Sequence, residues 1–225
     1  MPTPDEPSDD ETPKVENPPP TNKLLMDMAS LAIRIHEEER QAAFNASRTA
    51  MDTRGSSPWL LAPGPLPEDH PFYALVGRVA SEWAHLEHII DLTIWKLLDV
   101  DDRLGACLTA QYPGVGQRCE AVCSLGTVRG LTDEQVKPFR QLKQAAFPTA
   151  DWRARWIHDP WFVQEGAKPA QFRAMPRVDR QFGLKEISEE DMKKTIGIIK
   201  GLQDEARLAE KIVLDALATL LEKQV

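Results

Sequence analysis

Apolar residues recur at helical spacing along three long stretches of this chain, and that pattern predicts a mostly helical fold. The first stretch runs from Lys23 to about Thr53, with Leu24, Leu25, Met28, Leu31, Ile35 and Phe44. Its second half is polar. The segment "RGSSPWLLAPGPLPEDHP" then carries five prolines and reads as a linker or irregular loop over residues 55–70. The second stretch, Pro71 to Leu98, places Phe72, Leu75, Val76, Val79, Trp83, Leu86, Ile90, Ile94 and Leu97 on one stripe. His85, His88, Leu92 and Trp95 form a second, semi-apolar face, which predicts contact with another element or another subunit.

Shorter helices are expected over about 102–110 and from Gln117 to Val128, with "YPGVG" between them. A further helix opens at Thr132, with Asp133 and Glu134 in its first turn, and reaches Phe147. Pro148 is expected to end or kink it, with Thr149 capping a fresh turn that runs to Asp159-Pro160. The pieces "WFVQEG", "AQFRAMPRV" and "QFGLKEI" within 161–187 alternate between turn signals. The third stretch starts at a capping-box pattern, Ser188 to Asp191, and runs to about Lys223. The expected fold class is predominantly α: an up-and-down helical bundle with a small β-hairpin or irregular insertion before the last helix. Four parts follow: a tail (1–22), an N-terminal helix (23–54), a linker (55–70) and a helical domain (71–225).

Charge refines this picture. The tail holds seven prolines, with six acids against one base, and is expected to be disordered. It lacks the basic and apolar regions of a signal peptide, and no apolar run in the chain approaches a membrane span. A cytoplasmic protein with no membrane partner is the expectation. The chain carries −8 overall, but residues 137–180 hold nine bases against four acids, a local net of +5. A local basic patch, whatever the global sum, is what binds phosphates. Arg140, Lys143 and Arg155 in that segment are candidate substrate-binding residues. The three cysteines fit a reducing compartment and read as buried, inert thiols.

Glu82 and His85 have a Glu-x-x-His spacing, with His88 and Asp91 nearby. A di-metal bundle centre needs a second such pair, and the other long helices offer none. No metal and no cofactor are therefore expected. Glu87 flanks the apolar stripe, where it either pairs with a base on a neighbouring helix or snorkels to solvent. Gly114 and Gly116 in "YPGVGQR" form a helix-breaking turn, because no strand precedes them.

The densest stretch is "TADWRARWIHDPWF", residues 149–162. Arg153 and His158 stand five residues apart, about 140° on an ideal helix. They converge either where the helix unwinds at Asp159-Pro160 or across a symmetric dimer. An arginine offers a planar fork to a phosphate. A histidine moves the proton of a 2′-hydroxyl near neutral pH. Trp152 and Trp156 form an aromatic ridge, expected in the subunit core or at an interface.

This stretch resembles the signature of the HEPN superfamily, an arginine and a histidine separated by four residues at a helix end. "RARWIHDPW" supplies Arg153, His158 and Trp161 in matching places, and "SEWAHLEHIIDLTIWKLL" has Glu87 at a recurrent acidic position. The segments "LGACLTAQYPGVGQRCEAV" and "LKEISEEDMKKTIGIIKGL" extend the likeness over about residues 70–222. The resemblance implies a homodimeric, metal-independent endoribonuclease acting on RNA, with Arg153 and His158 catalytic. It also implies toxin–antitoxin or antiphage roles and a cognate antitoxin as partner. Ala154 stands where the pattern has a polar residue, and Asp159 replaces a glycine, setting a negative charge beside the histidine. The alternative within the same resemblance is a non-catalytic helical module that binds RNA or a protein.

Overall fold

The structure, a computed structural model, describes residues 64–163, 168–175 and 181–223. The expected tail, the helix over 23–54, Arg177 and Arg180 lie outside the described residues. In chain order the elements are β1 (Gly64–Pro65), α1 (Pro71–Leu98), α2 (Asp102–Thr109), α3 (Val115–Val128) and α4 (Asp133–His158). Then come β2 (Trp161–Val163), β3 (Ala170–Met175), β4 (Gln181–Glu186) and α5 (Glu189–Glu222). The fold is mostly helical, with a small antiparallel strand group before the last helix.

Helix α1 begins at Pro71, whose missing N–H costs nothing at that position. His70 caps it, its Nδ1 accepting from the Phe72 N–H at 3.2 Å. Leu86, Ile90, Ile94 and Leu97 are fully buried, and each contributes about 1.5–3 kcal/mol by leaving water. The stripe packs on α5, where Ile196, Ile199, Leu202, Ala206 and Val213 return the apolar face. Ser188 and Asp191 form a reciprocal capping box at the start of α5. Helix α4 closes the core against α3 and α5 through Val136, Phe139 and Leu142.

Pro148 does not end a helix. Helix α4 is continuous from Asp133 to His158, with Pro138 and Pro148 inside it. The hydrogen bond lost at Pro148 is the one to the carbonyl of Gln144, an exposed residue that water reaches. The neighbours Ala145, Ala146 and Thr149 are buried, so packing against the core favours the continued helix over a break.

The second face of α1 meets another element of the same subunit. Trp95 lies over α2, its Nε1 donating to Thr109 Oγ1 at 3.2 Å. A Cβ built at Gly105 falls inside the contact radius of the Trp95 ring. Gly105→Ala is therefore expected to destabilise the fold by about 1–3 kcal/mol, as overpacking does. Chemical denaturation measures it, and a stability equal to wild type contradicts the packing described. His85 and His88 are exposed on this face.

Gln203 on α5 donates from Nε2 to the Glu82 carbonyl at 2.7 Å and to its carboxylate at 3.0 Å. That side-chain bond, chiefly, holds the Glu82 carboxyl below its ordinary value of 4.5. A lowered carboxyl contributes stability that is present above 4.5 and is lost as pH falls through the depressed value. Glu82→Gln is expected to flatten this part of the acid limb of a stability–pH curve. An unchanged slope below pH 4.5 excludes the coupling.

Four strands pair antiparallel in the order β1-β2-β3-β4. Gly64 pairs with Val163 and Pro65 with Phe162, so the end of the expected linker belongs to the folded unit. Leu66 is buried with it. A second core forms here from Leu66, Phe72, Trp156, Ile187 and Met192, flanked by Trp152 and Trp161. The tryptophan ridge thus packs within the subunit: Trp156 is 1% exposed and Trp152 half-buried.

The cysteines divide. Burial pushes the Cys119 thiol up to about 12, and Cys123 is half-buried and raised by the same cause. Cys107, expected to be buried, is exposed, because α2 covers Trp95 with Gly105 and turns Cys107 outward.

Candidate functional site

Helices α1, α3 and α4 enclose a cleft of about 690 Å³, within the range of about 300–1,000 Å³ usual for ligand sites. Trp83 and Glu87 line it from α1, and Pro113 to Gln117 and Glu120 from the start of α3. From α4 come Lys143, Gln144, Ala146, Phe147, Ala150 and Arg153. The Pro113-Gly114 turn and the first residues of α3 therefore form one wall; Gly116, expected in the turn, belongs to the helix. Gly114 caps α3 without a side-chain hydrogen bond.

Arg153 enters this cleft. Its Nε is buried and has no hydrogen-bond partner. Among the described residues the side chain makes no ion pair. This is unusual, because a buried donor left without a partner costs about 1–3 kcal/mol.

His158 is placed elsewhere. It is the last residue of α4, exposed, and it does not line the cleft. The helix does not unwind before it; Asp159 is the C-cap, in an extended conformation, with its N–H on the Arg155 carbonyl at 2.8 Å. Arg153 and His158 thus keep the divergence that five helical residues impose, and one subunit does not bring them together.

The other basic candidates are held by acids. Arg155 pairs with Asp151 at 3.0 Å and with Asp159 at 3.7 Å, both on its own helix side. Arg140 pairs with Asp133 at 2.7 Å, and that bond chiefly raises its pKa. Lys143 pairs with Glu120 and is raised for the same reason. Asp159 therefore faces Arg155, beside the histidine in sequence but engaged with the arginine.

Glu87 pairs across helices. Its Oε1 accepts from Trp83 Nε1 at 3.1 Å and lies 3.8 Å from Arg118 Nη1. Arg118 is the residue that the sequence reading missed. It is 8% exposed, with Nε on Asp91 at 2.7 Å and Nη1 on the Tyr112 carbonyl at 2.8 Å. Nη2 reaches the Thr109 carbonyl at 3.4 Å. This one guanidinium ties the cleft-wall turn to α1. Burial pushes the Asp91 carboxyl up despite the arginine beside it. A signal existed: Val115, Arg118, Cys119 and Val122 share one helical face, which sets an arginine on an apolar stripe.

Among the described residues no cluster of histidine, cysteine or carboxylate side chains is arranged to hold a metal ion. No helix among them is long and apolar enough to cross a membrane. Comparison with protein-family models, with curated proteins and with solved structures finds no match for this chain.

Proposed function

We propose that this protein is an endoribonuclease of the HEPN type that cleaves RNA without a metal, through attack of the 2′-hydroxyl on the adjacent phosphate. Arg153 is the carrying observation: a guanidinium in a cleft of ligand size that makes no ion pair among the described residues, its Nε buried without a partner among them. A phosphate in the cleft pairs with this guanidinium, which stabilises the negative charge that develops on the phosphoryl oxygens. His158 of a second subunit, since its own Arg153 points away, takes the 2′-hydroxyl proton as the 2′-oxygen bonds to phosphorus; the bond from phosphorus to the 5′-oxygen breaks, and that oxygen leaves with a proton. The active form is a homodimer in this reading, and an antitoxin protein is its natural regulator in a toxin or antiphage role.

Incubation with RNA in EDTA is expected to yield 2′,3′-cyclic phosphate ends. Mixing Arg153→Ala with His158→Ala subunits tests the composite site. Half of randomly mixed dimers carry both variants and regain one of two sites, so about a quarter of wild-type activity returns. Cleavage that survives both single substitutions overturns the assignment.

Two observations favour the second reading, a module that binds RNA or a protein without cleaving it. His158 lies outside the cleft and Arg155 is neutralised by Asp151 and Asp159. RNA binding with no turnover by a dimeric protein selects this reading.

A further inference from the structure

Phe147 is 80% exposed, and it is the one exposed large hydrophobic residue among those that line the cleft. The other described exposed apolar side chains, such as Leu104, Val128 and Leu208, do not line it. An aromatic ring that stands in water at the edge of a ligand-sized opening has no role in holding the fold together.

Its neighbours on α4 define what the ring meets. Lys143, Ala146, Ala150 and Arg153 line the same cleft; Lys143 and Ala150 lie within about 60° of the ring around the helix, and Arg153 about 120° from it. Lys143 lies about 6 Å before Phe147 along the helix axis, and Arg153 about 9 Å after it. Cations therefore flank the ring in both directions. Lys143 is tied to Glu120, but both side chains are exposed, at 45% and 60%. An exposed pair of this kind is weak and exchanges readily for a phosphate.

A protein partner is matched by a contiguous apolar patch. A lone aromatic between small residues and cations matches a nucleic acid strand, whose bases stack and whose phosphates pair. We propose that Phe147 is the stacking platform for one unpaired base of a single-stranded RNA, with the flanking phosphates on Lys143 and Arg153. This rests on the RNA reading of the cleft and adds its substrate form. The strand must be unpaired at that nucleotide, because a base inside a duplex has both faces covered. Stacking tolerates all four bases, so Phe147 selects for strandedness and not for sequence.

The test uses the full chain and a fluorescent 2′-O-methyl oligonucleotide, which blocks the 2′-hydroxyl and separates binding from cleavage. Anisotropy is expected to show Phe147→Ala binding roughly 5- to 150-fold more weakly than wild type. Phe147→Trp is expected to bind at least as tightly as wild type, and a fully paired duplex to bind equally to wild type and Phe147→Ala. An oligonucleotide with abasic sites is expected to erase the difference between wild type and Phe147→Ala. Equal affinity of wild type and Phe147→Ala for the single strand overturns the proposal. So does conversion of a wild-type dimer to a monomer by Phe147→Ala in light scattering, which assigns the ring to a subunit contact. A wild type that binds no RNA removes the ribonuclease reading and this inference together. Binding that depends on Phe147 without cleavage of ordinary RNA removes only the catalytic reading.

Discussion

Arg153→Met is expected to lose RNA cleavage by about 10²–10³-fold in kcat/KM while leaving the protein as stable as wild type or more so. The two halves of that result have one cause. Methionine keeps much of the aliphatic stem that packs in the cleft and removes the guanidinium. The buried Nε has no hydrogen-bond partner, so its removal relieves a desolvation cost and breaks no bond of the fold. A residue kept for structure behaves in the opposite way. Arg153→Lys is expected to recover part of the activity, since a point charge replaces the fork. The measurements are initial cleavage rates and a urea melt on the same preparations. Clear destabilisation with unchanged cleavage refutes the assignment of Arg153 to phosphate.

Arg118→Ala is expected to destabilise the protein by about 3–5 kcal/mol, the usual cost of stripping one partner from a buried charge pair. Asp91 loses its 2.7 Å partner, and the carbonyls of Thr109 and Tyr112 lose their donors. The deficit should depend on pH. Asp91 already sits above its ordinary value of 3.8 because of burial, and removing the arginine lifts it further. A raised carboxyl contributes stability below its unfolded value, and that contribution is lost as pH rises through the folded value. The gap between Arg118→Ala and wild type therefore widens from acid toward neutral pH. Replacing Asp91 with leucine and Arg118 with methionine together is expected to cost less than Arg118→Ala alone, because no buried charge is then left unpaired. A loss below 1 kcal/mol in the single variant, read by denaturant titration, contradicts the network. Glu87 also loses its arginine in this variant, so the cleft wall near Trp83 loosens together with the core.

The two arginines show why one was legible and the other was not. Arg153 was singled out by its spacing to His158 and by the proline that ends the helix, both local facts. Arg118 carries no motif. Its role depends on Asp91, 27 positions away, and on two carbonyls of a turn. The fresh turn expected at Thr149 is absent for a related reason, since α4 runs through Pro148. A missing N–H is a local penalty, and packing around Ala145, Ala146 and Thr149 outweighs it. Cys107 was misplaced because burial of a small helix is set by what it covers. Phe147 drew no notice beyond its position before a proline, since nothing in its neighbours along the chain says that it stands in water.

Periodicity and capping chemistry determined, from the sequence alone, where α1, α2, α3 and α5 run and which residues of α1 and α5 face the core. These are short-range properties: a stripe at 3.6 residues per turn, a Ser188–Asp191 box, a Pro71 start. Only the tertiary structure decided which outward faces look into a common cleft. Arg153 and His158 sit on one helix, yet the packing of α1 and α3 beside α4 encloses the first and leaves the second to solvent. That choice depends on the azimuth of neighbouring helices, which no single segment encodes.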